Sequence, residues 1–133
     1  MLTWDEKMTT GDARLDFQHT TIIGKVNELG EALRKTDEAG QIQTTGDILD
    51  FLEFYADWHF GEEEKIMAYY DCPFAGINKR QHQEFHTRFA EFRARWLNGE
   101  IDRSAAFGVY AELARWVADH VLRVDIKLRD YIS

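Results

Sequence analysis

The chain has 133 residues, 44% hydrophobic and 14% aromatic, which suits one compact domain with a single core and leaves no room for a second. Its formal charge of −8 disfavours nucleic acid and anionic lipid, because both are bound through Lys and Arg that neutralise phosphate. A charged N-terminal stretch without an apolar run argues against a signal peptide, and no stretch approaches the roughly 20 apolar residues of a membrane span, so a cytoplasmic protein is expected.

From Met1 to about Leu15 there is no strong period, and the segment reads as an N-terminal arm packed across the fold by Trp4 and Leu15. Beyond it, apolar residues recur at spacings of three and four, the mark of amphipathic helices. The first stripe, Ile22, Ile23, Val26, Leu29 and Leu33, is entered from Asp16 as N-cap and ends near Glu38-Ala39-Gly40. A second runs through Ile48, Leu52, Tyr55, Phe60, Ile66, Met67 and Tyr70 to a break at Asp71-Cys72-Pro73. There Cys72, the single cysteine, is expected as a surface-loop thiol that forms no intrachain disulfide. Phe85, Phe89, Phe92 and Trp96 mark a third helix, stopped by Asn98-Gly99. A fourth starts after Asp102 or Ser104 and carries Phe107, Tyr110, Leu113, Trp116, Val117, Val121 and Val124. No strand-like alternation competes. Four helices with short connections predict an all-α, up-down-up-down bundle over residues 16–133, with residues 1–15 as its arm.

The stripes are interrupted by polar residues on the faces that should point inward. His19 lies three before Ile22, and His120 lies four after Trp116. His59 and Glu63 are four apart on the second helix, and His82 and His86 are four apart on the third. Residues four apart on a helix stand one above the other, so each pair can grip an ion from one side. All five histidines are thereby placed inward. Burying them with a carboxylate and no cation would cost several kcal/mol in desolvation.

Five imidazoles with one or two carboxylates exceed what a single ion takes, and suit two ions bridged by carboxylate. The absence of nearby thiolates removes structural zinc and iron–sulfur sites. Imidazole speaks against calcium and magnesium, and leaves iron, manganese, zinc and copper open. The segment His82-Gln83-Glu84-Phe85-His86 lacks the Glu that a zinc-protease helix needs directly after its first His. Spacing four and richness in imidazole also separate the chain from the ferritin-like di-iron enzymes, whose pairs are Glu-x-x-His.

The segments Asp16-Phe17-Gln18-His19, His59-Phe60-Gly61-Glu62-Glu63, His82-x-x-x-His86 and His120-x-x-x-x-Asp125 resemble the hemerythrins, in particular the bacterial single-domain ones, over essentially the whole chain. The resemblance implies two non-haem iron ions, with His82, His86 and His120 on one and His19 and His59 on the other. Glu63 and Asp125 would bridge both, beside an oxo or hydroxo group. The two-histidine iron would keep an open position for dioxygen, or for a small anion such as azide or chloride in the oxidised form. Ile22, Ile23, Phe60 and Trp116 would form an apolar pocket around it.

Asp125 presents a geometric difficulty. Five residues turn an α-helix through roughly 500°, leaving His120 and Asp125 about 140° apart. Both can face one site only if the helix widens, tightens or ends between them. Glu63 has no such problem, and its neighbours Glu62 and Glu64, about 100° to either side, are expected to face solvent.

Only two anionic side chains would serve two irons, which favours binding oxygen over splitting its O–O bond. The expected function is therefore non-catalytic: reversible oxygen storage or transport, with delivery to an oxygen-accepting enzyme. A sensor of oxygen, nitric oxide or redox state would need a separate partner, since the sequence given ends at Ser133. An enzyme consuming peroxide or nitric oxide would need an acid or base, and every histidine is already assigned to metal.

Overall fold

The computed structural model describes residues 2–35 and 39–132. Four helices run Ala13–Arg34 (α1), Ala39–Tyr69 (α2), Ala75–Leu97 (α3) and Arg103–Arg123 (α4), with 3-10 turns at Glu6–Met8 and Asp125–Asp130. There is no strand among the described residues. Helix α1 packs on α2 and α4, and α3 packs on the same two. The helices therefore follow one another round a bundle in chain order, the arrangement that short antiparallel connections favour.

Their ends carry explicit signals. The N-cap of α1 is Asp12 rather than Asp16: its carboxylate accepts from the Leu15 backbone N–H at 3.0 Å. Asp16 lies in the first turn and accepts from the backbone N–H and the hydroxyl of Thr10, both at 2.8 Å. This pins the arm to the helix. Leu15, expected in the arm, is thus a helical residue and fully buried. Trp4 is half-buried and packs on the main core as expected. Helix α1 ends at Arg34, earlier than the expected Glu38-Ala39-Gly40, of which Ala39 and Gly40 already belong to α2 and Glu38 lies outside the described residues. Of the two starts considered for α4, Asp102 is the cap, accepting from Ala105 N–H at 2.8 Å.

Helices α2 and α3 both end in the six-to-one closure that a left-handed residue permits. Asp71 (φ 51°) lets Cys72 N–H reach Met67 O at 2.9 Å, and Gly99 (φ 67°) lets Glu100 N–H reach Arg95 O at 2.9 Å. The first closure corrects the expectation for Cys72. By folding the chain back over α2, it tucks the side chain between Leu15, Met67 and Leu128, where the cysteine is 4% exposed.

Two apolar clusters fill the interior. The larger joins the inward stripes of all four helices, among them Val26, Leu29, Leu52, Phe85, Phe89, Leu113 and Val117. The smaller, at the other end, is built on Leu15, Met67, Cys72 and Leu128. Burying a leucine-sized side chain contributes roughly 1.5–3 kcal/mol, so this packing holds the frame independently of any polar contact. Between the two clusters lies a polar layer.

Candidate metal centre

The layer follows from helical register. His19 stands one turn beyond Leu15, Glu63 one turn before Met67, and Asp125 three residues before Leu128. The helices that place the smaller cluster therefore place the polar groups directly above it. His19, His59, Glu63, His82, His120 and Asp125 converge there, none more than 4% exposed. Helix α4 ends at Arg123 with Val124 (φ −118°, ψ −57°) as its C-cap, and the chain tightens into a 3-10 turn at Asp125. Ending the helix resolves the five-residue mismatch and turns the Asp125 carboxylate inward.

Each carboxylate divides its two oxygens between the two halves of the layer. Glu63 Oε2 lies 3.0 Å from His19 Nε2 and 3.4 Å from His59 Nε2, while Oε1 lies 3.1 Å from His82 Nε2. Asp125 Oδ2 lies 3.1 Å from His19 Nε2 and Oδ1 lies 3.0 Å from His120 Nε2. Two groups of four result: His19, His59, Glu63 and Asp125, and Glu63, His82, His120 and Asp125. Within each group, the donor atoms lie within 4.8 Å of one another.

The outer nitrogens of three rings fix which way the lone pairs point. His59 Nδ1–H donates to Gln18 Oε1 at 2.6 Å, His82 Nδ1–H to Glu64 Oε2 at 3.0 Å, and His120 Nδ1–H to Gln81 Oε1 at 2.7 Å. In a neutral imidazole the other nitrogen is then an acceptor. The Nε2 atoms of His82 and His120 stand 3.1 Å apart, each facing carboxylate oxygens that are also acceptors. Asp125 Oδ1 makes no hydrogen bond among the described residues despite its 3.0 Å approach to His120. Acceptors converging on acceptors require a cation or protons between them. Flat rings brace two of the imidazoles: Phe60 stacks on His82 (centroids 3.9 Å apart, 12° between planes) and Trp116 on His120 (4.6 Å, 8°).

Proton affinities carry the same charge logic. Burial pushes the His19 pKa down, but Asp125 and Glu63 outweigh it and hold it up at about 10. Burial pushes Glu63 up, yet His19, His59 and His82 together hold it well below the usual carboxylate range. His82 is likewise raised, Glu63 overcoming the effect of burial. The pocket is built for positive charge.

One expected inward residue lies elsewhere. His86 is half-exposed, and its Nδ1–H donates to Asp57 Oδ1 at 2.9 Å. Phe85 and Phe89 take the inward positions of that stretch of α3. A ring four residues from His82 shares its side of the helix at Cβ only; its torsions turn it outward. Glu62 and Glu64, both expected to face solvent, are each partly buried: Glu64 is 30% exposed and held by His82, and Glu62 is 21% exposed and pairs with Lys65.

The family model of the Hemerythrin HHE cation binding domain matches residues 10–129. The chain belongs to the hemerythrin family. Bacteriohemerythrin of Stenotrophomonas maltophilia (strain R551-3) is 30% identical over 133 residues, 100% of this chain and 82% of the relative. That of Pseudomonas aeruginosa (strain LESB58) is 28% identical over 124 residues, 93% and 76% of the two chains. That of Clostridium acetobutylicum is 24% identical over 133 residues and the full length of both.

In this hemerythrin-family bundle a cavity of about 20 Å³ adjoins the centre, enough for roughly one water-sized molecule. His19, His59, His120 and Asp125 form its polar side, drawn from both groups of candidate ligands. Ile22, Phe60 and Trp116 line it, with Ala56, Phe85, Val117 and Val121 completing the wall, while Ile23 is buried in the main core.

The sequence reading missed the residues that hold the candidate ligands. Besides Gln18, Glu64 and Gln81 these include Asn78, fully buried, whose side-chain N–H donates to Glu63 Oε1 at 3.0 Å. Asn78 lies four residues before His82, a spacing that could have exposed it.

Proposed function

We propose that His19, His59, Glu63, His82, His120 and Asp125 hold two iron ions, and that the chain binds dioxygen reversibly beside them as an oxygen store or carrier. The observation that carries this reading is the division of each carboxylate between two histidine pairs. Two cations side by side would each face one oxygen of Glu63 and one of Asp125. The relatives named bacteriohemerythrin, and the match to a cation-binding domain, support the same assignment.

The iron pair would supply two electrons and a free coordination position for the gas. The protein's own contribution is enclosure. Ile22, Phe60, Phe85, Trp116, Val117 and Val121 keep bulk water from a cavity that admits one small molecule. Among the described residues its lining offers no titratable group beyond the candidate ligands, which supports reversible binding over catalysis. The outer-nitrogen bonds to Gln18, Glu64 and Gln81 hold the rings in place through repeated cycles.

The test is anaerobic reduction of the iron-loaded chain, followed by oxygen titration in the visible spectrum. Elemental analysis should give two irons per chain. Oxygen should produce a band that disappears on degassing, and azide should occupy the oxidised form in exclusion of oxygen. A single zinc at full occupancy, or a spectral change on the first addition of oxygen that degassing does not reverse, would overturn the reading.

A further inference from the structure

Of the six residues assigned to the centre, five stand on α-helices and Asp125 alone does not. The hydrogen-bond ladders of α1 to α4 fix the height and direction of the other five. Asp125 opens the six-residue turn Asp125–Asp130, a 3-10 element whose hydrogen-bond geometry is poorer and whose own stiffness is small. Contacts from outside the turn must therefore keep its carboxylate between the two histidine pairs.

Two side chains of the turn make such contacts. Residues three apart on a 3-10 helix eclipse one another, so Leu128 points the same way as Asp125 and is fully buried in the smaller apolar cluster. Arg129 leaves on another side and reaches the N-terminal arm. Its Nε–H donates to Thr9 O at 2.9 Å, and its Nη2 donates to Lys7 O at 3.1 Å and to Thr9 O. One guanidinium thus spans two backbone carbonyls.

Those carbonyls are fixed acceptors, because the arm is anchored on both sides of them. Leu2 N–H donates to Asn27 Oδ1 at 2.9 Å and Asn27 Nδ2 returns a bond to Leu2 O at 2.8 Å. At the other end Thr10 is bonded to Asp16, and between the two anchors Met8 is buried in the main core. The arm therefore behaves as a strut of α1 that passes beside the C-terminal turn.

We propose that Arg129 is a positioning residue for the metal centre: by tying the C-terminal 3-10 turn to the N-terminal arm, it keeps Asp125 facing both metal ions. The inference rests on the two-metal reading above. Leu128 sets how deep the turn sits, and Arg129 opposes its rotation and fraying, on which the direction of the Asp125 carboxylate depends. Without the tether the carboxylate spends less time on the ions, and they leave faster. Charge alone predicts the opposite, since removing one cation should retain another more firmly.

The experiment uses the full chain loaded with Co²⁺ alone, as wild type, Arg129→Ala, Arg129→Lys, Asp125→Asn and the Arg129→Ala/Asp125→Asn double variant. Co²⁺ per chain and its rate of release to a chelator are read, with amide hydrogen exchange on the metal-free chains. Wild type should bind two Co²⁺. Arg129→Ala should release Co²⁺ about tenfold faster, the lower end for a charge-assisted hydrogen bond because Arg129 is exposed. Arg129→Lys, which keeps the charge but not the fork, should fall between. In the Asp125→Asn background Arg129→Ala should change release by less than about twofold. The amides of Lys127 and Tyr131, bonded to Val124 O and Leu128 O, should exchange faster in Arg129→Ala, while those inside α1 to α3 keep their protection.

Release that is unchanged or slower in Arg129→Ala overturns the proposal. So does an equal acceleration with Asp125→Asn, which marks a general loosening, or unchanged exchange at Lys127 and Tyr131. Should Asp125→Asn hold no Co²⁺, the exchange pattern decides between tether and general loosening. A wild-type chain that takes up no Co²⁺ removes the metal pair and this role of Arg129 together. Two bound Co²⁺ whose release is indifferent to Arg129 removes the role alone.

Discussion

An imidazole that lends one nitrogen to a metal has a second to place, and the partner of that second nitrogen decides where the first one points. Gln18 would perform this task for His59, a candidate ligand, from inside the bundle, where it is only 3% exposed. Replacing it with Ala frees the His59 ring to rotate and removes the acceptor that fixes its tautomer. Metal affinity should fall about 10- to 100-fold, measured by competition with a chelator of known affinity, while the helical content of the metal-free variant stays unchanged. Unaltered affinity would show that packing alone fixes the ring. His19, His59, Glu63, His82 and His120 could be identified as inward residues because they sit in register with apolar stripes. Gln18 could not, because its partner is 41 positions away and a lone glutamine beside a histidine carries no pattern. The placement of His86 was hidden for another reason: spacing settles where Cβ lies, but torsions and the Asp57 contact settle where the ring goes.

At the scale of helices, the supporting residues show a common sense of rotation. Gln18 precedes His19 and reaches His59; Glu64 follows Glu63 and reaches His82; Gln81 precedes His82 and reaches His120. One step along a helix turns about 100°, and reversing the helix reverses the sense. Alternation between preceding and following therefore makes each helix of an antiparallel ring support the next. The corresponding residue on α4 is Val121, which is apolar, and His19 Nδ1 has no hydrogen-bond partner among the described residues. The end of α4 was legible in outline, since five residues cannot serve one site on an unbroken helix. The burial of Cys72 was not, because it depends on a left-handed Asp71 that no sequence pattern announces.

The α1–α4 seam offers a test of how closely these elements are fitted. A Cβ placed on Gly30 would lie 2.5 Å from Tyr110 Oη and 2.6 Å from Cζ, and Tyr110 is itself only 7% exposed. Gly30→Ala should therefore lose stability, by about 1–3 kcal/mol as for other overpacked sites, against the usual gain of alanine over glycine in a helix. Urea unfolding checks this. A smaller residue in place of Tyr110 should recover part of the loss, and a stabilised Gly30→Ala chain would contradict the close approach.

For the molecule as a whole, the polar layer lies between two apolar clusters and must be electrically balanced for the bundle to close. Bound cations would balance Glu63 and Asp125 directly, so removing them should lower the melting temperature. In the metal-free chain the balance falls to protons, and this gives the loss a definite pH dependence. His19 titrates near 6.5 when unperturbed and at about 10 in the fold, raised by Asp125 and Glu63 against the effect of burial. A raised pKa means that the fold binds the proton more tightly than the unfolded chain does. Its stabilisation is therefore complete below pH 6.5 and is lost as pH climbs through about 10. Glu63 acts in the opposite direction: its depressed pKa stabilises above its usual value of 4.5 and ceases to do so as pH falls through the folded value. The metal-free bundle should thus melt highest between these limits and at steadily lower temperature toward pH 10. A metal must displace the His19 proton to reach Nε2, so metal uptake at pH 7 should release protons, and affinity should rise with pH. The gap in melting temperature between metal-loaded and metal-free chain should accordingly widen from pH 6.5 to 10. Lysines and tyrosines also titrate in that range, and His19→Gln supplies the control. In that variant the metal-free melting temperature should depend much less on alkaline pH. An equal decline with and without His19 would show that its proton does not balance the buried carboxylates.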